Sequence, residues 1–254
     1  MTKLIGWGAR VLYLGPAFGL TPHRNARAVL AVALDGALEV ADDPASAGGA
    51  WRLARSVLIP PNTLHHLRAS GSMMAFLYVD PLSRDLSALM QKMQHVTPRA
   101  AFDLVDEGAI AEVLTGLAEG STPVREGREA LEKWLGIGMP AKPDSRIASA
   151  LQQMREQPGE LHSLDELAGS AGLSASRFLH LFKAQTGIPL RRYRLWNRMG
   201  AAVRAWHGGM SLTDAAHSAG FASSAHFSAA FREMFGMMPS KLLSGLEPAT
   251  SIIH

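Results

Sequence analysis

Between Leu190 and His207 the chain carries Arg191, Arg192, Arg194, Arg198 and Arg204 and not one acidic residue. Guanidinium groups stay charged in proteins and grip planar anions through two parallel N–H bonds, so such a run suits a polyanionic partner; a solvated helix face is the bland reading. The wider charge distribution agrees with the first. Residues 1–140 hold 13 Lys and Arg against 14 Asp and Glu, whereas residues 141–254 hold 12 against 8, so the basic excess lies in the second half. In the first half, the residues with chemistry to offer are His23, His65 and His66, accompanied by Trp51, Phe76 and Tyr78. Imidazoles can ligate a metal, and aromatics on alternating strand positions can line a small-molecule pocket or serve as plain core.

The arginine run stands between two copies of one pattern. SLDELAGSAGLSASRFLHLFKAQTG begins at Ser163, and SLTDAAHSAGFASSAHFSAAFREMFG begins at Ser211. They align through Leu164 on Leu212, Ala168 on Ala216 and Gly172 on Gly220; one inserted residue later, Ser174 matches Ser223, Phe178 matches Phe227, and Phe182 matches Phe231. Each copy reads as a capped short helix, a glycine turn and a second capped helix, which is the shape of a helix-turn-helix. Ser163 with Glu166 forms a capping box, and Ser211 has Asp214 at the same offset. Leu173, Phe178, Leu181 and Phe182 are expected to fill the first core; Phe221, Phe227, Phe231 and Phe235 fill the second. Asp144 is expected to cap a preceding helix that turns Ile147, Leu151 and Met154 inward. The helix joining the copies packs Trp196, Met199, Val203 and Trp206.

The elements before the repeat differ in kind. From Ala9 to Val79, short apolar runs (ARVLYLG, AVLAVALDG, ALEV, SVLIPPN, MMAFLYVDP) alternate with turn residues such as Asp35-Gly36 and Pro60-Pro61-Asn62, a pattern of antiparallel barrels or sandwiches. After Asp80-Pro81 the period changes to helical: Ser83 to Gln94, Asp106 to Ala118 and Arg125 to Leu135 each carry one apolar stripe. Those stripes are expected to pack within the chain, or at least one of them on a second copy. Glycine and proline between Gly136 and Pro143 mark a boundary. The expected domains are therefore 1–138 and 144–254.

With no cysteine there is neither a disulfide framework nor a thiolate metal site. No apolar run approaches the roughly 20 residues of a membrane helix, and the first 15 residues lack a convincing cleavage signal, so no membrane and a cytoplasmic location are expected.

The spacing Ala168-x-x-x-Gly172-Leu173-Ser174, Phe178, Phe182-Lys183, Thr186-Gly187, Tyr193, Arg198, Gly220-Phe221, Ser223, Phe227, Phe231-Arg232, Phe235-Gly236 and Pro239-Ser240 resembles the AraC/XylS-type DNA-binding domain over about 100 residues. The first half resembles the cupin-like sensor of such regulators: His23-Arg24-Asn25 is similar to one cupin motif, and Pro60 to His65 to the other, with Asn62 where glycine is usual. The implied fold has two domains. The first is mainly β, a cupin-like barrel followed by amphipathic helices; the second is all-α, two helix-turn-helix motifs joined by a linking helix.

The resemblance assigns each second helix to a DNA major groove. It implies base-facing positions at Ser176, Leu179 and His180, beside Ala175 and Lys183, and at Ser224, Ala225, Ser228 and Ala229. It implies phosphate contacts from Ser174, Lys183, Arg191, Arg198, Ser223 and Arg232, the cations having acids such as Asp165, Glu166 or Asp214 as alternative partners. His180 and Ala229 stand where the family often has arginine, so the first copy is expected to supply most direct readout and the second mainly to anchor. An effector would be met by His23, His65, Trp51, Phe76 and Tyr78. Two imidazoles without a carboxylate fall short of the three or four ligands a divalent metal wants, so neither metal nor cofactor is expected. The implied partners are double-stranded DNA, a small-molecule effector, RNA polymerase if the protein activates, and a second copy of the chain. A metal-dependent cupin isomerase or oxygenase with an appended DNA-binding domain is the alternative.

Overall fold

The computed structural model describes residues 2–16, 18–41, 43–45, 49–71, 73–136, 144–156, 162–243 and 245–246. The boundary expected at 136–143 lies, beyond Gly136, outside these residues. Two compact units result: Met1–Met139 with Arg232–His254, and Pro140–Phe231. The expected second domain, 144–254, thus contributes its last stretch to the packing of the first unit.

The first unit is built on strands β1 (Lys3–Trp7), β2 (Arg10–Pro16), β3 (His23–Arg24), β4 (Ala28–Ala33), β5 (Leu38–Ala41), β6 (Trp51–Ala54), β7 (Ser56–Ile59), β8 (Leu64–His65), β9 (Leu67–Ala69) and β10 (Met73–Val79). Helix α1 (Asp85–Gln91), strands β11 (Met93–Val96) and β12 (Ala101–Leu104), and helices α2 (Glu107–Glu119) and α3 (Val124–Leu135) follow. A seven-stranded sheet runs β1-β2-β10-β4-β7-β12-β11, with smaller sheets β6-β5-β9 and β3-β8; all the pairings are antiparallel.

Period-two alternation explains why the large sheet needs cover on both sides. Leu12, Leu14, Leu30, Val32, Leu58, Leu77 and Val79 share one core with Ile110, Leu114 and Leu117 of α2 and Leu131 and Leu135 of α3. The stripes of α2 and α3 are therefore consumed within the chain, each large side chain adding about 1.5–3 kcal/mol by burial. The alternate residues Tyr13, Val29, Ala31, Val57, Ile59, Phe76 and Tyr78 are buried too. Buried ion pairs, Arg27 with Asp80 and Arg10 with Asp85, tie β2 and the residue just before β4 to the chain following β10.

The expected run of helices after Asp80 is interrupted. Met93 and Gln94, read as the end of a helix, lie in β11, and β12 joins the main sheet beside β7 through Ala101↔Leu58 and Phe102↔Val57. A four-residue strand carries too little period to be told from loop, and here the decisive bonds are long-range: the Leu104 N–H donates to Ser56 Oγ at 2.9 Å. Strand β1 was also not expected. In the turn before β8, Asn62 adopts φ 59°, the left-handed region that asparagine tolerates and that glycine would otherwise supply. The closing stretch packs on the same unit: Thr21 donates to the Gly236 carbonyl from its N–H (2.9 Å) and its hydroxyl (3.1 Å), and the Phe235 ring meets Tyr78 edge-on.

The second unit is helical: α4 (Ser145–Glu156), α5 (Leu164–Ser170), α6 (Ala175–Thr186), α7 (Leu190–His207), α8 (Leu212–Ser218) and most of α9 (Ser224–Phe235), after which comes α10 (Pro239–Leu243). Ile147, Leu151 and Met154 are buried as expected, and Asp144 caps α4 by accepting from the Arg146 N–H at 3.1 Å.

Candidate nucleic-acid interface

Each copy is held by short-range bonds. Ser163 Oγ accepts from the Glu166 N–H at 3.0 Å while the Glu166 carboxylate accepts from the Ser163 N–H at 2.7 Å, closing the capping box. The Ser163 N–H, first, and then the Ser163 hydroxyl hold the Glu166 carboxyl below its ordinary value. In the second copy, Ser211 Oγ accepts from the Asp214 N–H at 3.1 Å, but the shorter carboxylate takes the Ser211 hydroxyl proton instead, at 2.6 Å. The turns are alike. Leu173 N–H reaches the Ala168 carbonyl and Phe221 N–H the Ala216 carbonyl, both at 2.9 Å, and Gly172 and Gly220 take φ 63° and 80°.

The reading helices follow. Ser174 caps α6 and Ser223 caps α9, their hydroxyl oxygens accepting from the Arg177 and His226 N–H groups at 3.4 and 3.0 Å. Each hydroxyl keeps a proton to donate outward, as a phosphate contact requires. Phe178, Phe182, Phe227 and Phe231 are buried, whereas Leu173, Leu181 and Phe235 are half-buried. On the opposite face of α6, Ser176, Leu179, His180 and Lys183 are exposed. On α9, Ala225, Ala229 and Arg232 are exposed, while Ser224 and Ser228 are half-buried.

The arginine run does not form one face. Arg191 and Arg204 reach solvent, Arg192 is buried, and Arg194 donates to the His162 carbonyl. Arg198, expected on phosphate, is engaged elsewhere: its Nε donates to the Ala219 carbonyl at 3.0 Å, a terminal nitrogen donates to the Gly220 carbonyl, and the guanidinium lies 4.2 Å from the Phe221 ring centre. It satisfies carbonyls at the end of α8 (Leu212–Ser218) that have no intrahelical partner, and it braces the turn. Burial lowers the pKa of both Arg194 and Arg198. Lys183, Arg191 and Arg232 have no ion-pair partner among the described residues, nor has Arg177, an exposed cation at the start of α6 that sequence reasoning passed over. Glu166 and Asp214, two acids that could pair with these cations, are spent on caps.

In the first unit, β3 and β8 pair His23 directly with His65, with ring centres 4.1 Å apart. Each Nδ1 faces a carbonyl, Thr21 at 2.8 Å and Thr63 at 2.9 Å, so each ring keeps its proton there and presents Nε2 as a lone pair. The Asn25 amide donates to His65 Nε2 at 3.2 Å. Burial, above all, lowers His23 to about 4 and His65 to about 3, so both are neutral at pH 7. Trp51 is half-buried, meets His66 at 5.0 Å and lies under Arg68, while Phe76 packs on Tyr13 and Tyr78 on Phe235. The expected effector residues thus form a histidine pair and two aromatic groups. Among the described residues no group of three His, Cys, Asp or Glu could hold a metal ion.

Residues 167–245 match the protein family described as a helix-turn-helix domain, and that part of the chain is one. A protein described as an AraC-like transcription regulator of Streptomyces lividans is 28% identical over 156 residues, 61% of this chain and 48% of the relative. The regulator LumQ of Photobacterium leiognathi is 38% identical over 80 residues, 31% of this chain and 32% of the relative. The chain therefore spans about half or less of the curated relatives it matches. An apo form of ToxT from Vibrio cholerae has the same fold, with TM-score 0.62 at 12% identity over 95% of this chain and 99% of that one. ToxT with a bound unsaturated fatty acid matches at TM-score 0.55 and 12% identity, over 96% of each chain. The class is thus a two-domain protein with the ToxT architecture, and the resemblance to AraC-type regulators read from the sequence holds. No described helix is long and apolar enough to cross a membrane.

Proposed function

We propose that this chain is a sequence-specific DNA-binding transcription regulator of AraC type that works in the cytoplasm. The observation that carries the reading is the pair of capped helices α6 and α9, each presenting an exposed face with a cation, Lys183 or Arg232, that has no ion-pair partner among the described residues, over a phenylalanine core. Helices of this kind read successive major-groove faces about one turn, or roughly 10 base pairs, apart. The first copy supplies most base readout through Ser176, Leu179 and His180. The second anchors through Arg232, Ser223 and Ser224, its Ala225 and Ala229 offering only methyl groups, with Ser228 beside them. Ser174, Lys183 and Arg191 complete the phosphate contacts. Immunoprecipitation of the protein with its DNA, followed by sequencing, tests the reading: recovery of one recurrent sequence supports it, and uniform recovery overturns it.

The first unit responds to a small molecule in this proposal. Support comes from the buried neutral pair His23 and His65, and from ToxT, which shares the fold and has been solved with an unsaturated fatty acid. RNA polymerase and a second copy of the chain are further proposed partners. The protein acts as a regulator rather than an enzyme; stoichiometric iron, manganese or zinc in purified protein would instead favour the metal-dependent cupin reading.

A further inference from the structure

We infer that Leu179 is a specificity-determining residue that reads the 5-methyl group of one thymine; the inference rests on the DNA-binding role proposed above. Leu179 lies on α6 with 40% of its surface exposed, although leucine gains free energy by leaving water. The fold does not require an apolar residue there. The core face of α6 is already filled by Phe178 and Phe182, both 0% exposed, and the repeat places Ser228 at the corresponding position of α9.

The neighbours indicate the occupant. Ser176, Leu179, His180 and Lys183 follow at i, i+3, i+4 and i+7, one exposed stripe, with Arg177 beside it. Both cations lack carboxylate partners among the described residues and suit the phosphates that flank a groove. Between them Leu179 meets the groove floor. The major-groove edges of guanine, cytosine and adenine present hydrogen-bonding groups and no methyl, and those groups would lose water against leucine without compensation. Thymine alone adds a methyl group. Leu179 therefore favours thymine over cytosine at its position.

Removing that one methyl tests the inference. The full chain is bound to its selected operator at fixed salt, with each thymine of the half-turn facing α6 replaced singly by deoxyuridine. One replacement should weaken binding about four-fold, the worth of one buried methyl group. Leu179→Ala should lose affinity for the thymine operator by a similar factor and no longer distinguish thymine from uracil there. Leu179→Gln should shift the preference towards adenine. Lys183→Ala should weaken all sequences and lower the salt dependence while preserving the thymine-to-uracil ratio. Because Leu179 is exposed, thermal unfolding of its variants should match that of the parent chain. Equal binding of every uracil operator, or an undiminished ratio in Leu179→Ala, overturns the inference while leaving DNA binding intact. A chain that selects no duplex overturns the functional reading and this inference together.

Discussion

The two helix-turn-helix copies share a framework and differ in what they present. Caps, glycine turns and buried phenylalanines coincide position by position. The outer faces do not: α6 (Ala175–Thr186) offers a leucine, a histidine, a lysine and an arginine, and α9 (Ser224–Phe235) offers mostly serine and alanine. Their support differs as well. The turn of the second copy is clamped by Arg198 from α7 (Leu190–His207), and among the described residues no side chain bonds the Ala171 or Gly172 carbonyl of the first. A duplicated scaffold thus tolerates divergence where side chains face solvent, because exposed positions carry little of the folding free energy.

The largest expected effect probes what the copies have in common. Phe178→Ala and Phe227→Ala should each destabilise the second unit by about 3–5 kcal/mol, measured by denaturant unfolding. A much smaller loss for one of them would break the equivalence of the cores. Next in size is the asymmetry of reading. Scrambling the operator half-turn under α6 should cost on the order of 100-fold in affinity, and scrambling the one under α9 ten-fold or less, each base contact being worth about 1–3 kcal/mol. Equal losses would show two equal readers.

Arg198→Met should remove the clamp, with footprint protection lost selectively over the α9 half-turn. Loss of a single phosphate contact would instead reduce the salt slope by about one and leave the footprint pattern unchanged. Ser163→Ala and Ser211→Ala should cost about 1 kcal/mol each, with the second the larger because the Ser211 hydroxyl makes both bonds of its cap, whereas the Ser163 N–H bond to Glu166 survives the change. Smallest is a pH effect in the first copy. The folded Glu166 carboxyl titrates below its unfolded value, so its contribution is present above the ordinary glutamate range and fades as pH falls through the folded pKa. The protection factors of the amides at the start of α5 (Leu164–Ser170), which correct for the intrinsic slowing of exchange in acid, should fall as the Glu166 carboxyl is protonated.

Much of this unit was legible in the sequence because its signals are local. A serine three residues before Glu166, or a glycine at the turn, specifies its partner within a few positions. The first unit was harder to read. Its hairpin runs showed as alternation, yet β12 (Ala101–Leu104) was missed, since so short a run is recognisable only by its pairing, with β11 (Met93–Val96) and, some 45 positions away, with β7 (Ser56–Ile59). His23 and His65 were singled out by type, but their direct pairing and the Nδ1 protons held by Thr21 and Thr63 came from strand register.

The sequence by itself determined two capped helix-turn-helix copies, a basic second half and a strand-rich first half, because caps, turns and periodicity act over three or four residues. Tertiary structure alone decided which arginines are available to a polyanion. Read along the chain, Arg191, Arg192, Arg194, Arg198 and Arg204 form one charged run. In the fold Arg192 is buried, Arg194 is drawn to the loop carbonyl of His162, 32 positions away, and Arg198 to carbonyls that the end of α8 leaves without partners, 21 and 22 positions away. That need for partners is set by packing, and no spacing along the run reveals it.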